Sequence, residues 1–209
     1  MMNFKTEQEE FWAGNFGDEY ISRNKSEEYL ASNLNFFSKI FNKLGQPKSL
    51  IELGANIGMN LRAIKLLFPN ISLSGVEINE NAAARLAEFI GREQVYNESI
   101  FDFEPVQKFD VSLIKGVLIH INPEMLSLVY EKLYHSSNKY ILICEYYNPS
   151  PVAISYRGHN DRLFKRDFAG EMMEKYPDLK LIDYGFCYKR DMAFPQDDIT
   201  WFLLEKGKD

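Results

Sequence analysis

The chain has 209 residues, 45 % of them hydrophobic, enough to bury a sizeable core and suited to one domain better than two. Thirty acidic residues against 24 basic ones leave a net charge of −6, which repels a polyanion and argues against nucleic acid as a partner. Cys144 and Cys187 lie far apart and form no CxxC pair, the opening MMNFKTEQEEFW lacks the apolar stretch of a signal peptide, and no run of about 18 apolar residues occurs. The expectation is a cytoplasmic protein with no disulfide scaffold, no metal site and no membrane partner.

In chain order, residues 1–46 predict helices over 6–13 and 27–44, separated by the glycine-bearing GNFGDEY. From Ser49 onward, short apolar runs alternate with helical patterns, the signature of strands joined by crossover helices in a parallel sheet. The predicted strands are 49–53, 72–77, 94–97, 111–115 and 140–145. Between them fall helices at 60–68, at 82–90 and at 124–134; the second is capped by Asn79 or Asn81 and closed by Gly91. Two further strand-like runs, 179–188 and 199–205, have no convincing helix between them and should pair antiparallel. The fold class is therefore α/β, a mainly parallel seven-stranded sheet ending in an antiparallel pair, with helices on both faces. Residues 148–161 show no periodicity and follow the fifth strand, where an open sheet of this kind binds its ligands.

In SLIELGANIG a strand enters a tight turn before a helix, so backbone N–H groups can approach a ligand unobstructed. A dinucleotide fingerprint needs glycines at 54, 56 and 59, where this chain has Gly54, Asn56 and Met59, which weakens a nicotinamide reading. A strand-to-helix turn with incidental glycines is the plain alternative. The next strand ends in GVEIN, which places the Glu77 carboxylate where it can accept both hydroxyls of a ribose.

The acid followed by a glycine turn, with Glu52, Gly54, Ala55, Asn56 and Gly58 in the matching positions, resembles the first motif of class I S-adenosylmethionine-dependent methyltransferases. Asn56 departs from the middle glycine of GxGxG, and Asn tolerates left-handed backbone angles better than most residues. The resemblance extends over about residues 49–145. It implies a Rossmann-like methyltransferase fold with S-adenosylmethionine as cofactor and S-adenosylhomocysteine as product. Glu77 and Ile78 match the family's ribose-binding segment. Ser99 and Ile100 in NESIFDF match the segment that holds the adenine, with Asp102 as an alternative contact. In FDVSLIKGVLIHI, Lys115, Gly116 and Val117 fall near the methionine moiety and His120 faces the reaction centre.

The stretches FWAGNFGDEYISRN and YRGHNDRLFKRDF look like the methylases associated with pseudaminic acid biosynthesis, a bacterial sugar pathway. Chain length and the methyltransferase resemblance together imply a single methyltransferase domain over 1–209, in which 1–46 cover the active site and 47–209 form the core. The acceptor would be a small polar molecule such as a sugar, nucleotide sugar or related acid, methylated at oxygen or nitrogen. For a hydroxyl acceptor His120 is the candidate general base; it could equally order the cofactor or a loop. Trp12, Tyr20, Arg23 and Asn24 form an aromatic and polar cluster able to close over the site, although Trp12 also suits a core position. Tyr156, Arg157, His159 and Arg162, with Asp161, could grip an anionic acceptor or simply form a solvated polar loop. The protein is expected to be a monomer or homodimer, and the rival readings are a natural-product methyltransferase with an aromatic acceptor and a non-catalytic S-adenosylmethionine-binding protein.

Overall fold

The structure is a computed structural model that describes residues 4–23, 26–155 and 163–207, without the side chains of residues 22 and 23. Among the described residues the main sheet has seven strands. The chain divides into two compact units, Met1–Glu104 and Pro105–Asp209.

The first unit opens with α1 (Glu7–Ala13), α2 (Asn15–Arg23) and α3 (Glu27–Phe41). Thr6 starts α1 through a capping box: its side chain accepts from Glu9 N while the Glu9 side chain accepts from Thr6 N. Ser26 starts α3 by accepting from Tyr29 N at 3.1 Å. Phe36, Phe37, Ile40 and Phe41 then line its buried face at helical spacing. Strands β1 (Ser49–Leu53), β2 (Ser72–Val76) and β3 (Val95–Tyr96) alternate with α4 (Met59–Leu67) and α5 (Glu80–Ile90). The strands pair parallel, Ser49 to Leu53 against Ser72 to Val76 in register. Leu50, Ile51 and Leu53 have no exposed surface, each contributing about 1.5–3 kcal/mol through burial.

The second unit holds β4 (Phe109–Lys115), α6 (Leu126–Ser136), β5 (Ser137–Glu145), β6 (Val152–Ala153), β7 (Phe164–Lys165), α7 (Phe168–Lys175), β8 (Lys180–Phe186) and β9 (Thr200–Glu205). β4 and β5 pair parallel, and β9 runs antiparallel to both β5 and β8. Ile141, Leu142, Ile143 and Cys144 are successive and all buried, as expected of a strand covered on both faces. The mainly parallel seven-stranded sheet with an antiparallel end is the expected fold.

Three local features differ from the sequence expectation. Within GNFGDEY only Gly14, which caps α1, lies between helices, and the remaining NFGDEY forms the body of α2. A Cβ on Gly17 would lie 2.1 Å from the Trp12 carbonyl oxygen, so this glycine permits close approach rather than breaking the helix. The unpredicted α7 is eight residues long, contains Gly170 and is capped by Asp167, whose Oδ1 accepts from Gly170 N at 2.8 Å. β6 and β7 form a small antiparallel pair in and beyond the stretch that shows no periodicity.

Candidate functional site

In the first unit the turn after β1 is built on three left-handed residues, Gly54 at φ 78°, Asn56 at φ 49° and Gly58 at φ 80°. Asn56 is stabilised there because its own Oδ1 accepts from Ile57 N at 2.6 Å. Gly54 N and Ala55 N both donate to Val76 O, at 2.9 and 3.0 Å, tying the turn to the end of β2. Glu77, immediately beyond, is 8 % exposed. Its Oε2 accepts from Asn56 N at 2.7 Å and its Oε1 from Asn79 N at 2.8 Å. Burial pushes its carboxyl pKa up, while the N–H groups of Asn79, Asn56 and Ile78 pull it down. A carboxylate offers about four acceptor sites, so capacity remains for a hydroxyl.

Glu52 is fully buried beneath this turn. Its Oε1 accepts from Asn60 Nδ2 at 2.6 Å, and Asn60 Oδ1 accepts from Asn33 Nδ2 at 3.0 Å. Glu52 thus anchors the start of α4. Asn79 rather than Asn81 caps α5, accepting from Ala82 N at 2.9 Å; Asn81 donates instead to Asp18 at 2.9 Å.

The N-terminal helices dock on the same turn. Asp18 also accepts from Asn79 Nδ2 at 3.0 Å. Ile21 packs with Ile57 and Ala82, and Met59 borders that cluster. Glu9 receives the Ser99 hydroxyl on Oε1 while its Oε2 accepts from Thr6 N at 3.1 Å. Lys5 pairs with Asp102. Two of the three adenine-side candidates, Ser99 and Asp102, are therefore engaged by the N-terminal segment; the third, Ile100, and Ile78 are half-buried. Trp12 and Tyr20 meet edge to face at 5.3 Å between centroids, with Phe16 against Trp12 at 5.2 Å.

In the second unit β4 delivers Lys115, Gly116 and Val117 to one turn, followed by a 3₁₀ turn over Leu118–His120. Gly116 is left-handed at φ 69°, and a Cβ there would meet nothing within 4 Å. His120 is 8 % exposed, its N–H donating to Val117 O at 2.8 Å. A cavity of about 140 Å³ lies against the β6–β7 pair, lined by Pro123, Pro151 and Lys165 among others. The Arg23 side chain and residues Asn24, Tyr156, Arg157, His159, Asp161 and Arg162 lie outside the described residues. Among the described residues no three His, Cys, Asp or Glu gather as metal ligands, and no helix is long and apolar enough to cross a membrane.

Sequence reasoning did not assign a site role to Glu9, Asp18 or Asn60, nor to the second contact of Asn79. Their partners are distant in sequence, and only the Asn79 cap had a local signal.

No family model matches the chain, and no curated protein matches it. Solved structures do share its fold. Magnesium protoporphyrin IX methyltransferase from Synechocystis, with bound S-adenosylhomocysteine, gives a TM-score of 0.71 at 10 % identity over 95 % of this chain and 97 % of that one. For 1,6-didemethyltoxoflavin-N1-methyltransferase from Burkholderia thailandensis, solved with 1,6-didemethyltoxoflavin and S-adenosylhomocysteine, the values are 0.68 and 16 % over 96 % and 87 %. An S-adenosylmethionine-dependent methyltransferase from Clostridium acetobutylicum gives 0.64 and 10 % over 93 % and 100 %. The fold is thus the Rossmann-like fold found in these methyltransferases.

Proposed function

We propose that the chain is an S-adenosylmethionine-dependent methyltransferase that methylates oxygen or nitrogen of a small polar acceptor, a sugar, nucleotide sugar or related acid of the pseudaminic acid type. The carrying observation is Glu77, a buried carboxylate at the end of β2 held by the N–H groups of Asn56 and Asn79 beside a turn of left-handed residues. That arrangement suits a nucleoside: the acid accepts ribose hydroxyls and the turn brings backbone close. The open space at Gly116 suits the methionine end. Structures with the same fold were solved with S-adenosylhomocysteine bound, which supports the same donor here.

When bound, the cofactor supplies a methyl group activated on sulfonium sulfur. The chain's own task is to hold a nucleophile at roughly 3–3.5 Å in line with that methyl, exclude water and receive any proton. His120, buried at the end of its turn, is the residue assigned to the proton of a hydroxyl acceptor. The α1–α2 segment is assigned to the cofactor side through Glu9 and Asp18, and Trp12, Tyr20, Arg23 and Asn24 are assigned to acceptor binding. Tyr156, Arg157, His159 and Arg162 are assigned to an anionic group on the acceptor, within a single domain over 1–209.

The test is a thermal-shift screen with S-adenosylmethionine, S-adenosylhomocysteine and NAD, followed by assay of S-adenosylhomocysteine release with candidate sugars. Stabilisation by the two adenosyl ligands and release with a sugar acceptor support the reading. Stabilisation by NAD alone contradicts it, and binding without release for any acceptor points to a binding protein. His120→Ala should spare cofactor binding and slow turnover; normal turnover removes His120 from the chemistry.

A further inference from the structure

The carboxyl end of β5 carries a second buried acid that the reading above leaves without a task. Glu145 is 2 % exposed, and its Oε1 accepts the backbone N–H groups of Val117 and Leu118, each at 2.9 Å. These residues open the turn that carries His120. Gly116 N donates to Cys144 O at 2.9 Å and His120 N to Val117 O at 2.8 Å, so β5 fixes both the entry and the body of the turn. N–H groups at the head of a helical turn have no partner within it, and Glu145 supplies one. Its Oε2 is buried and has no hydrogen-bond partner among the described residues. Such half-satisfaction is costly, and it calls for an explanation when it occurs at the ligand-binding end of a parallel sheet.

Several charged and titratable groups among the described residues surround Glu145. Lys115 of β4 acts on it electrostatically. Tyr130 of α6 feels its charge and donates to Glu171 at 2.7 Å, which pairs with Arg166 at 2.6 Å. His120 ends the turn, and Thr200 lies opposite on β9. Burial pushes the Glu145 carboxyl up to about 7, against the pull of the Val117, Leu118 and Ile119 N–H groups and of Lys115.

We propose that Glu145 is a positioning residue, holding Val117 and His120 in place through the two backbone N–H groups bound by its Oε1. What the turn is held for rests on the methyltransferase reading; the holding itself does not. A purely space-filling role would be served as well by an apolar side chain. Glutamine keeps the accepting oxygen and loses the charge, and alanine loses both.

The experiment uses the full ¹⁵N-labelled chain. The Val117 and Leu118 amide protons are followed from about pH 5.5 to 8.5 in wild type and Glu145→Gln, and S-adenosylhomocysteine affinity is measured by calorimetry in wild type, Glu145→Gln and Glu145→Ala. In wild type both amides should move downfield together with one midpoint near neutrality, and in Glu145→Gln neither should titrate. Glu145→Gln should bind within about threefold of wild type, and Glu145→Ala at least about tenfold more weakly. Amides indifferent to both pH and substitution overturn the contact, and wild-type affinity in Glu145→Ala overturns the role. If Glu145→Ala does not fold, the wild-type titration and the glutamine variant still decide. A wild type that titrates as described but binds no S-adenosylhomocysteine supports the positioning claim and contradicts the cofactor reading.

Discussion

Glu77 and Glu145 stand at the carboxyl ends of two parallel strands, one in each unit, and use the same device with different completeness. At Glu77 each oxygen receives a backbone donor, Asn56 N on Oε2 and Asn79 N on Oε1. At Glu145 the Val117 and Leu118 N–H groups fall on the same oxygen, Oε1, and Oε2 is left without a partner among the described residues. A carboxylate with each oxygen held is fixed in orientation and can present its remaining lone pairs to a ligand. One held by a single oxygen fixes its donors but gains less for its own charge, and burial takes it to about 7. The first arrangement suits binding and the second suits holding a turn.

The largest effect should come from Glu77→Ala. Two charge-assisted hydrogen bonds to a ribose, at about 1.5–3 kcal/mol each, translate into a loss of at least about 100-fold in S-adenosylhomocysteine affinity by calorimetry. An unchanged affinity would remove Glu77 from the cofactor site.

Glycines distinguish the two units next. Gly58 is left-handed, and a Cβ there would lie 2.6 Å from Leu86 Cδ1, so Gly58→Val should cost about 2–4 kcal/mol in urea unfolding. Gly116→Ala carries the conformational strain without the collision and should cost only about 1 kcal/mol. Equal losses would show that the packing contrast does not govern these turns.

Glu145 then gives a pH dependence. Its folded pKa of about 7 lies above the ordinary 4.5, so the native state binds its proton more tightly than the unfolded chain does. The resulting stability is fully present below about pH 4.5 and is lost as pH rises through about 7. Glu145→Gln lacks this titration. Between about pH 5 and 8 the wild type should therefore lose up to about 3 kcal/mol relative to the variant, as read from paired denaturant curves; parallel curves contradict the assignment.

The smallest effect is expected at Asn56→Gly. Glycine relieves the left-handed backbone cost but forfeits the Asn56 Oδ1 contact with Ile57 N, leaving stability within about 1 kcal/mol and cofactor affinity nearly unchanged. A large loss of affinity would show that the asparagine side chain itself has a binding role.

Much of this fold was legible in the sequence because parallel strands covered on both faces read as short apolar runs; SLIEL and the ILIC of β5 need no tertiary information to find. What failed was local. Gly17 read as part of a break between helices where it serves close approach, and the short α7, capped by Asp167, was not foreseen. In the site, Glu77 was legible from its place directly after a strand, and Asn56 from its tolerance of a left-handed angle. The Glu9 contact with Ser99 joins residues 90 positions apart, and no spacing rule predicts it. Glu145 was visible only as a strand end, because its partners Val117 and Leu118 are backbone groups that any residue supplies.

The central claim is tested most directly by calorimetric titration of the wild-type chain with S-adenosylhomocysteine and, separately, with NAD. Saturable one-to-one binding of S-adenosylhomocysteine with no NAD heat is the predicted result. Binding of NAD alone, or of neither ligand, contradicts it.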